Sequence, residues 1–599
     1  ASGVNLRGLG ADATLVLVNG RRIGGTGTKG DYADLSSIPT SAVERVDVLL
    51  DGGSALYGAD AIGGVVNVIL RDDYEGQETR LRFGSATDGA TEEIQLGQTF
   101  GRRWDTGSIL ASYEYYARDN LAVADRRAFA GDADHRAFGG RDRRQNFANP
   151  ANIVVLDQAR GGYVSLFAVP RGQDGTALRP QDFRAGESNL TNQRQGMNAL
   201  PRQERHALFV AGSQQLGDRL ELSADARWGW RDFNTVQPPF ATVFTVTRAN
   251  PFFVSPTGAT SHTLAYSFSE DLPNARSSGK AETEAYTLGA ELELSGDWRL
   301  EAYGAFASES LASRTDGSVN STALREALGA IADDPRTPYS AMRDGFFNPF
   351  ADGSNSSAAA LAFIGSGFGR NRSGTDVSTA QVQLDGTLLS LPGGPVRLAT
   401  GLAWRRETFR TQVTSFTSGV VPTVGAPVES RRDVGAAFAE LRVPVFGADN
   451  ARPGFQRLDL SLAARFEDYE GVGETTSPKI GVVWRPFDAL LLRANYGRSF
   501  RAPALIELTD APSASPTILP RGGQQILSMI LYGGNPDLEP ETATTWTLGG
   551  EFQPGAVPGF RLGLNAFRID FENRIGQPTF ENILSALSDP AFGAFVRTI

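Results

Sequence analysis

A large antiparallel transmembrane β-barrel with a small α+β unit at its amino end is the fold this sequence predicts. Three observations predict it. Apolar and polar residues alternate with a period of two through about fifteen long segments. Every second gap between those segments is short, and every long gap falls at the positions between. No apolar run approaches the roughly 20 residues a transmembrane helix needs, whereas barrel strands never look hydrophobic in a long window.

Composition narrows the alternatives. The chain has 599 residues, of which 41% are hydrophobic and 21% charged, so neither tail-like disorder nor a helical membrane protein fits. Cysteine is absent, which excludes disulfides, thiolate metal sites and cysteine nucleophiles. Only His135, His206 and His262 are histidines, too few for a histidine-rich metal centre. Net charge is −11, which argues against a nucleic-acid partner. The chain opens at Ala1 with neither a methionine nor a signal sequence, and ends on Ile599 with no closing signal. It reads as a fragment or mature piece.

The amino-terminal unit comes first. Thr14 to Val18 is a short apolar strand that ends in the turn Asn19-Gly20. Leu35 to Val43 contains Pro39 and reads as a turn into a short helix. Val46 to Leu50 and Val65 to Leu70 are two more strands, separated by a turn and helical hook at Asp51 to Gly58. Such a unit is too small to be stable by itself.

The long strands follow at 79–85, 92–100, 106–117, 204–216, 219–231, 282–294, 298–310, 376–389, 396–410, 432–446, 457–470, 477–486, 490–499, 542–553 and 559–573. In the fifth of them, Leu220, Leu222, Ala224, Ala226, Trp228 and Trp230 share one face, and Glu221, Ser223, Asp225 and Arg227 the other. Every second gap is short, as at Leu216-Gly217-Asp218 and Ser295-Gly296-Asp297, and all the long gaps fall between them. Up-and-down strands whose two ends face different worlds give this pattern. Trp104, Trp298 and Trp484 lie at the short-turn ends, and Trp228, Trp230 and Trp546 towards the long-loop ends, as two aromatic girdles require. A soluble sandwich could not enclose fifteen such strands in one core. A wide barrel reverses the solvent logic, with apolar side chains to lipid and charges to a wet lumen.

The amino-terminal motifs resemble a family. Asn5-Leu6-Arg7-Gly8-Leu9-Gly10, the run Thr14 to Arg22, Leu35-Ser36-Ser37-Ile38-Pro39, Glu44 to Asp47 and the run Asp51 to Leu70 are similar, in order and spacing, to the plug of a TonB-dependent outer-membrane receptor. Tyr496 to Pro503 and Asn535 to Glu541 resemble barrel motifs of the same family. The resemblance implies a plug at 1–76 inside a barrel at 77–599, with 22 strands in the full protein and about 15 here. It places the energy-coupling TonB box upstream of Ala1 and about seven strands beyond Ile599.

The function so implied is uptake of a scarce nutrient, a ferric siderophore or else an oligosaccharide or cobalamin, across the outer membrane of a Gram-negative bacterium. The implied partners are the TonB-ExbB-ExbD complex, outer-membrane lipid and the small nutrient; the receptor is a monomer, not an enzyme, and needs no cofactor. The alternative is a signalling receptor or a passive porin-like barrel, and the first seventy residues weigh against the porin. Ligand contacts are expected on the plug apices, at Arg7, Lys29, Asp31, Tyr32, Thr40 and Ser41. Plug arginines Arg21, Arg45 and Arg71 are expected to meet inward carboxylates such as Glu221, Glu301, Glu440 and Glu467, each such wet pair contributing about 0–1 kcal/mol.

Other motifs point elsewhere and fail on context. Gly25, Gly27 and Gly30 match a dinucleotide fingerprint, yet no helix of useful length opens at Gly30 to receive a pyrophosphate. Ser54 lacks the second glycine of a nucleophile elbow and reads as a cap or turn serine. Asp132 and Asp134 lack the spacing of a calcium loop.

Overall fold

The computed structural model describes residues 3–597 other than 28, 31, 127–130, 158–161 and 523. All fifteen expected strands form, and they join edge to edge, antiparallel, in strict chain order. They are Gly76–Ser85, Glu92–Trp104, Gly107–Arg118, Arg202–Leu216, Leu220–Val236, Arg276–Glu293, Arg299–Ser318 and Gly367–Leu391, followed by Gly394–Ser415, Val428–Phe446, Arg457–Tyr469, Gly473–Phe487, Leu490–Arg501, Glu541–Phe552 and Leu562–Glu572. A two-residue strand, Thr423–Val424, adds to the rim beside Gly394–Ser415. Several strands run well past the hydrocarbon thickness, which needs about 9–11 tilted residues. Among the described residues no helix is long and apolar enough to cross a membrane, which says nothing of strands.

Strand pairing fixes which side chains share a face, since directly paired residues in neighbouring strands point the same way. Leu222, Ala290, Ala302, Val382 and Leu402 form one such row. They face away from the plug: Leu402 is 67% exposed, and Leu288 and Leu548, on the same outer surface, are 71% and 61% exposed. The residues between them point inward and are polar and buried, including Ser112, Glu114, Glu309 and Glu467. Buried carboxylates under an exposed leucine surface make no sense in water and are the expected arrangement in lipid. The turns at 105–106, 217–219, 294–298, 392–393 and 488–489 are tight and lie at one end of the strands. Gly217 shows why that end can be tight, because its φ of +68° suits a residue without Cβ. The last strand departs from the pattern. Phe567, Ile569 and Phe571 share its inner face, and Ile569 and Phe571 pack against Ala13, Ile62 and Ala543.

The plug is a four-stranded sheet in the order Arg21–Arg22, Thr14–Val18, Gly64–Leu70, Val43–Leu49. Thr14–Val18 and Gly64–Leu70 run parallel, and both are apolar and buried as a central pair must be. Two asparagine side chains tie the Asn19-Gly20 turn to the strand Gly64–Leu70: Leu70 N–H donates to Asn19 Oδ1, 2.7 Å, and Gly20 N–H to Asn67 Oδ1, 2.9 Å. The expected short helix at 35–43 is two 3-10 turns, Leu35–Ser37 and Thr40–Ala42, because Pro39 lacks the N–H a continuous helix would use. The hook at Asp51 to Gly58 contains the helix Ser54–Tyr57. The plug core is shared with the wall: Val18, Ile38, Ala42, Val68 and Leu70 pack with Leu110, Phe209 and Ala211 of the strands. The plug therefore sits inside the curved sheet.

Three long outer loops are not loose. Segments from 119–201, 237–275 and 319–366 build one folded module with a five-stranded sheet and three short helices. Its core, which includes Ile153, Val246, Leu264, Tyr266, Phe268, Leu328, Phe347 and Phe350, is the largest apolar cluster described in the chain.

Candidate functional site

The site is the outer apex of the plug and the wall that grips it. Its chemistry comes from charges spaced two apart on inward strand faces, so that both side chains enter the lumen at neighbouring heights. Arg405 and Glu407 are one pair, with Arg405 Nε to Glu407 Oε1 at 2.6 Å. Arg465 and Glu467 are another, at 3.0 Å. Arg432, on the neighbouring strand, donates from Nε to Glu407 Oε2, 2.7 Å, and from Nη1 to the Pro503 carbonyl, 2.6 Å. Arg405 also donates to the Tyr469 hydroxyl, 2.9 Å. The arginines here are 5–8% exposed, so each carboxylate offsets a desolvation cost that an isolated ion could not bear.

The plug meets this wall with matching groups. Arg22 bonds Asp60, 2.8 Å, and the Ala59 carbonyl, 2.6 Å, which folds the hook onto the sheet. Gly58 lies over Glu467: a Cβ there would stand 2.6 Å from Oε1, and its φ of +83° already favours glycine. Ser54 is fully buried, and its Oγ accepts from Phe500 N–H, 3.3 Å; it ties the plug to a strand, and Gly53 holds the cap position instead. Asp51 pairs with Lys479, 3.1 Å. Arg501 is shared by Glu507, 3.0 Å, and Glu541, 3.3 Å, with Asp12 at 3.8 Å. Farther round the wall, Arg231 donates to Asp34 and Ser36. Thr375 Oγ1 donates to the Gly25 carbonyl, 2.6 Å, and Ser373 Oγ to the Gly27 carbonyl, 2.9 Å, clamping the glycine loop.

Between apex and wall lies a cleft of about 140 Å³ bordered by Lys29, Tyr32, Arg22, Asp60, Glu407 and Arg432. Two of the expected ligand residues, Lys29 and Tyr32, line it. Lys29 is exposed and makes no ion pair among the described residues. Asp31 lies outside the described residues. Arg7 sits away from the cleft, its guanidinium 3.8 Å from the Phe567 ring centroid on the last strand. Burial lowers its pKa from the ordinary arginine value, and Asp51 opposes that. Thr40 and Ser41 face the wall: Thr40 Oγ1 donates to Glu114 Oε2, 2.6 Å, and Ser41 Oγ lies 2.8 Å from Ser112 Oγ with Ser41 buried.

Of the expected plug–wall pairs, Arg21 reaches Glu301 at 3.8 Å and Arg71 reaches Glu78 at 2.8 Å. Arg45 does not reach the wall; it turns back to Glu44 and Asp47 on the exposed edge strand. Glu467 is held by Arg405 and Arg465 of the wall and by none of those three arginines. The Arg-x-Glu spacing of 405–407 and 465–467 was the available signal for the buried network. Among the described residues no cluster of three or more His, Cys, Asp or Glu could hold a metal, and Asp134 is taken up by Arg136 and Arg144.

Comparison with known proteins agrees with this architecture. Residues 1–65 match the family model of the TonB-dependent receptor plug domain, and residues 244–587 match that of the TonB-dependent receptor-like β-barrel. Among solved structures, the siderophore receptor PirA from Acinetobacter baumannii is similar over 95% of this chain and 64% of its own, with 15% identity and a TM-score of 0.55. A mutant of the ferric enterobactin receptor PfeA from Pseudomonas aeruginosa, in complex with enterobactin, is similar over 95% of this chain and 65% of its own, with 16% identity and a TM-score of 0.55. The chain thus spans slightly under two thirds of the length of these receptors.

Proposed function

This chain belongs to the TonB-dependent receptor family, and we propose that it serves uptake of a ferric siderophore across the outer membrane of a Gram-negative bacterium, driven by the inner-membrane proton gradient through TonB, ExbB and ExbD. The observation that carries the reading is a plug seated in an ion-paired socket with a polar cleft at its outer apex. Apolar packing on Leu110, Phe209 and Ala211 holds one side of the plug. The other contacts are charged or hydrogen-bonded, and these can be exchanged for water when the plug is pulled.

Ligand recognition is assigned to Lys29 and Tyr32 at the cleft. An exposed lysine beside an aromatic ring suits an anionic, aryl-bearing iron chelate. Arg7 contributes by holding the adjacent loop against the last strand. Thr40 and Ser41 act as anchors to the wall rather than as ligand contacts. The neighbours described above are named as siderophore receptors, which supports this choice of nutrient over a sugar.

The test is uptake of radioactive iron as ferric enterobactin by cells carrying the intact gene. Uptake should require TonB, and Lys29→Glu should lower it about tenfold while leaving the protein in the membrane. Uptake that persists without TonB, or equal uptake by the variant, would overturn the proposal.

A further inference from the structure

Above the lipid-facing band, the outer surface of the barrel carries a basic hollow of about 600 Å³ that the transport site does not use. It spans the upper ends of five strands from Arg202–Leu216 to Gly367–Leu391. Pairing places Glu204, Asp232, Lys280 and Ala312 in one outward row, with Arg372 opposite Ala312. Five cations line the hollow, Arg202, Lys280, Arg314, Arg370 and Arg372, against the carboxylates Glu204 and Asp232. Lys280 is engaged by Glu282, 2.7 Å, and Arg314 by Asp316, 2.5 Å. Arg202, Arg370 and Arg372 are exposed and make no ion pair among the described residues, although Arg370 stacks on Phe368. Three unpaired guanidinium groups facing outward from a chain of net charge −11 ask for an anion.

Depth says which anion. Below the hollow, on three of those strands and the next one, Gly394–Ser415, an apolar groove of about 550 Å³ is lined by Leu288, Ala290, Gly304, Ala380, Leu402 and Trp404. From Gly304 to Ala312 the chain climbs about 26 Å at roughly 3.3 Å per residue, or about 20 Å along the membrane normal at a tilt of roughly 40°. The hydrocarbon of a bilayer ends about 15 Å from its middle and the headgroups about 20–22 Å from it. With the apolar band centred on the bilayer, the hollow lies at headgroup depth. We propose that it binds the phosphorylated headgroup of an outer-leaflet lipid whose acyl chain follows the groove beneath. Guanidinium groups match phosphate oxygens in pairs, and small residues at Ala290, Gly304 and Ala380 leave room for a chain.

This inference rests on the strands spanning a membrane, so that point is scored first. A full chain that stays monodisperse without detergent would refute the membrane reading itself, before any lipid is added. The lipid test uses the full chain in neutral detergent, with native mass spectrometry as the readout. Three probes are offered: a bisphosphorylated, acylated disaccharide lipid, the same lipid without its phosphates, and millimolar inorganic phosphate as competitor. Arg202→Ala/Arg370→Ala/Arg372→Ala changes only exposed outward side chains and is compared with the wild type at equal melting temperature. The wild type should retain the phosphorylated lipid at least about tenfold better than the dephosphorylated one, and the variant should lose that preference. Equal retention of the two lipids, or unchanged binding by the variant, would overturn the proposal. Displacement by inorganic phosphate alone would identify a free-anion site and overturn the lipid.

Discussion

Replacing Arg231 by glutamine should loosen the plug segment 34–42 from the barrel wall. Asp34 and Arg231 are 3% and 8% exposed, so their ion pair is screened from water on nearly every side. Arg231 also donates to Ser36 Oγ, 2.7 Å, and Asp34 Oδ1 accepts from Ser36 N–H, 3.0 Å. Removing one partner of a buried pair costs about 3–5 kcal/mol, because the remaining charge loses its opposite number in a site screened from water. At 0.59 kcal/mol per factor of e, that raises the local opening constant by about 10² to 5 × 10³. Hydrogen–deuterium exchange of peptides across 34–42 reads this constant through the amides of Ser36, Ile38 and Ala42, which bond Asp34, Leu35 and Pro39. Asp34→Asn should give a similar rise. The double variant should open less than the sum of the two, by at least about 2 kcal/mol of coupling. A rise below about threefold in either single variant, or strict additivity, would refute the idea that this pair seats the plug.

Three further outcomes are expected. Gly58→Ala forces a left-handed residue and sets a Cβ 2.6 Å from Glu467 Oε1, so the hook Ser54–Tyr57 should lose about 2–4 kcal/mol of local stability, measured by exchange or limited proteolysis; an unchanged hook would show that Glu467 has room to move. In the outer-loop module, burial pushes Asp271 up to about 6, and the protonated form is favoured in the folded state. The module should therefore lose about 3 kcal/mol as pH rises from 3.8 through 6, and Asp271→Asn should flatten that dependence in thermal melts taken at pH 4.5 and 7.5. Phe347→Ala removes a fully buried ring from the module core and should lower its stability by about 3–5 kcal/mol while the barrel melts as before; coincident loss of both would deny the module a core of its own.

The barrel was legible because its signal is local. Each strand repeats apolar and polar residues with period two, and a tight turn such as that at Gly217 binds it to the next. The resemblance of the first seventy residues then located the plug. The outer-loop module was not legible, because its strands are short and their partners distant: Asn152–Asp157 pairs with Ser261–Ser267 across about a hundred residues, and both are apolar on mixed faces. At the site, Lys29 and Tyr32 border the apical cleft. Arg7, Thr40 and Ser41 meet Phe567, Glu114 and Ser112 instead, partners on strands whose height relative to the plug no single sequence encodes. The network of Arg405, Glu407, Arg432 and Glu467 needed inter-strand register for the same reason.

The absence of cysteine makes one experiment especially direct. Single cysteines at 222 to 227, each carrying a polarity-sensitive fluorophore, would be read in vesicles with brominated acyl chains. Quenching should alternate, strong at Leu222→Cys, Ala224→Cys and Ala226→Cys and weak at Ser223→Cys, Asp225→Cys and Arg227→Cys. Quenching of the odd set, or equal quenching of both, would contradict an apolar surface turned to lipid around a plugged, polar interior.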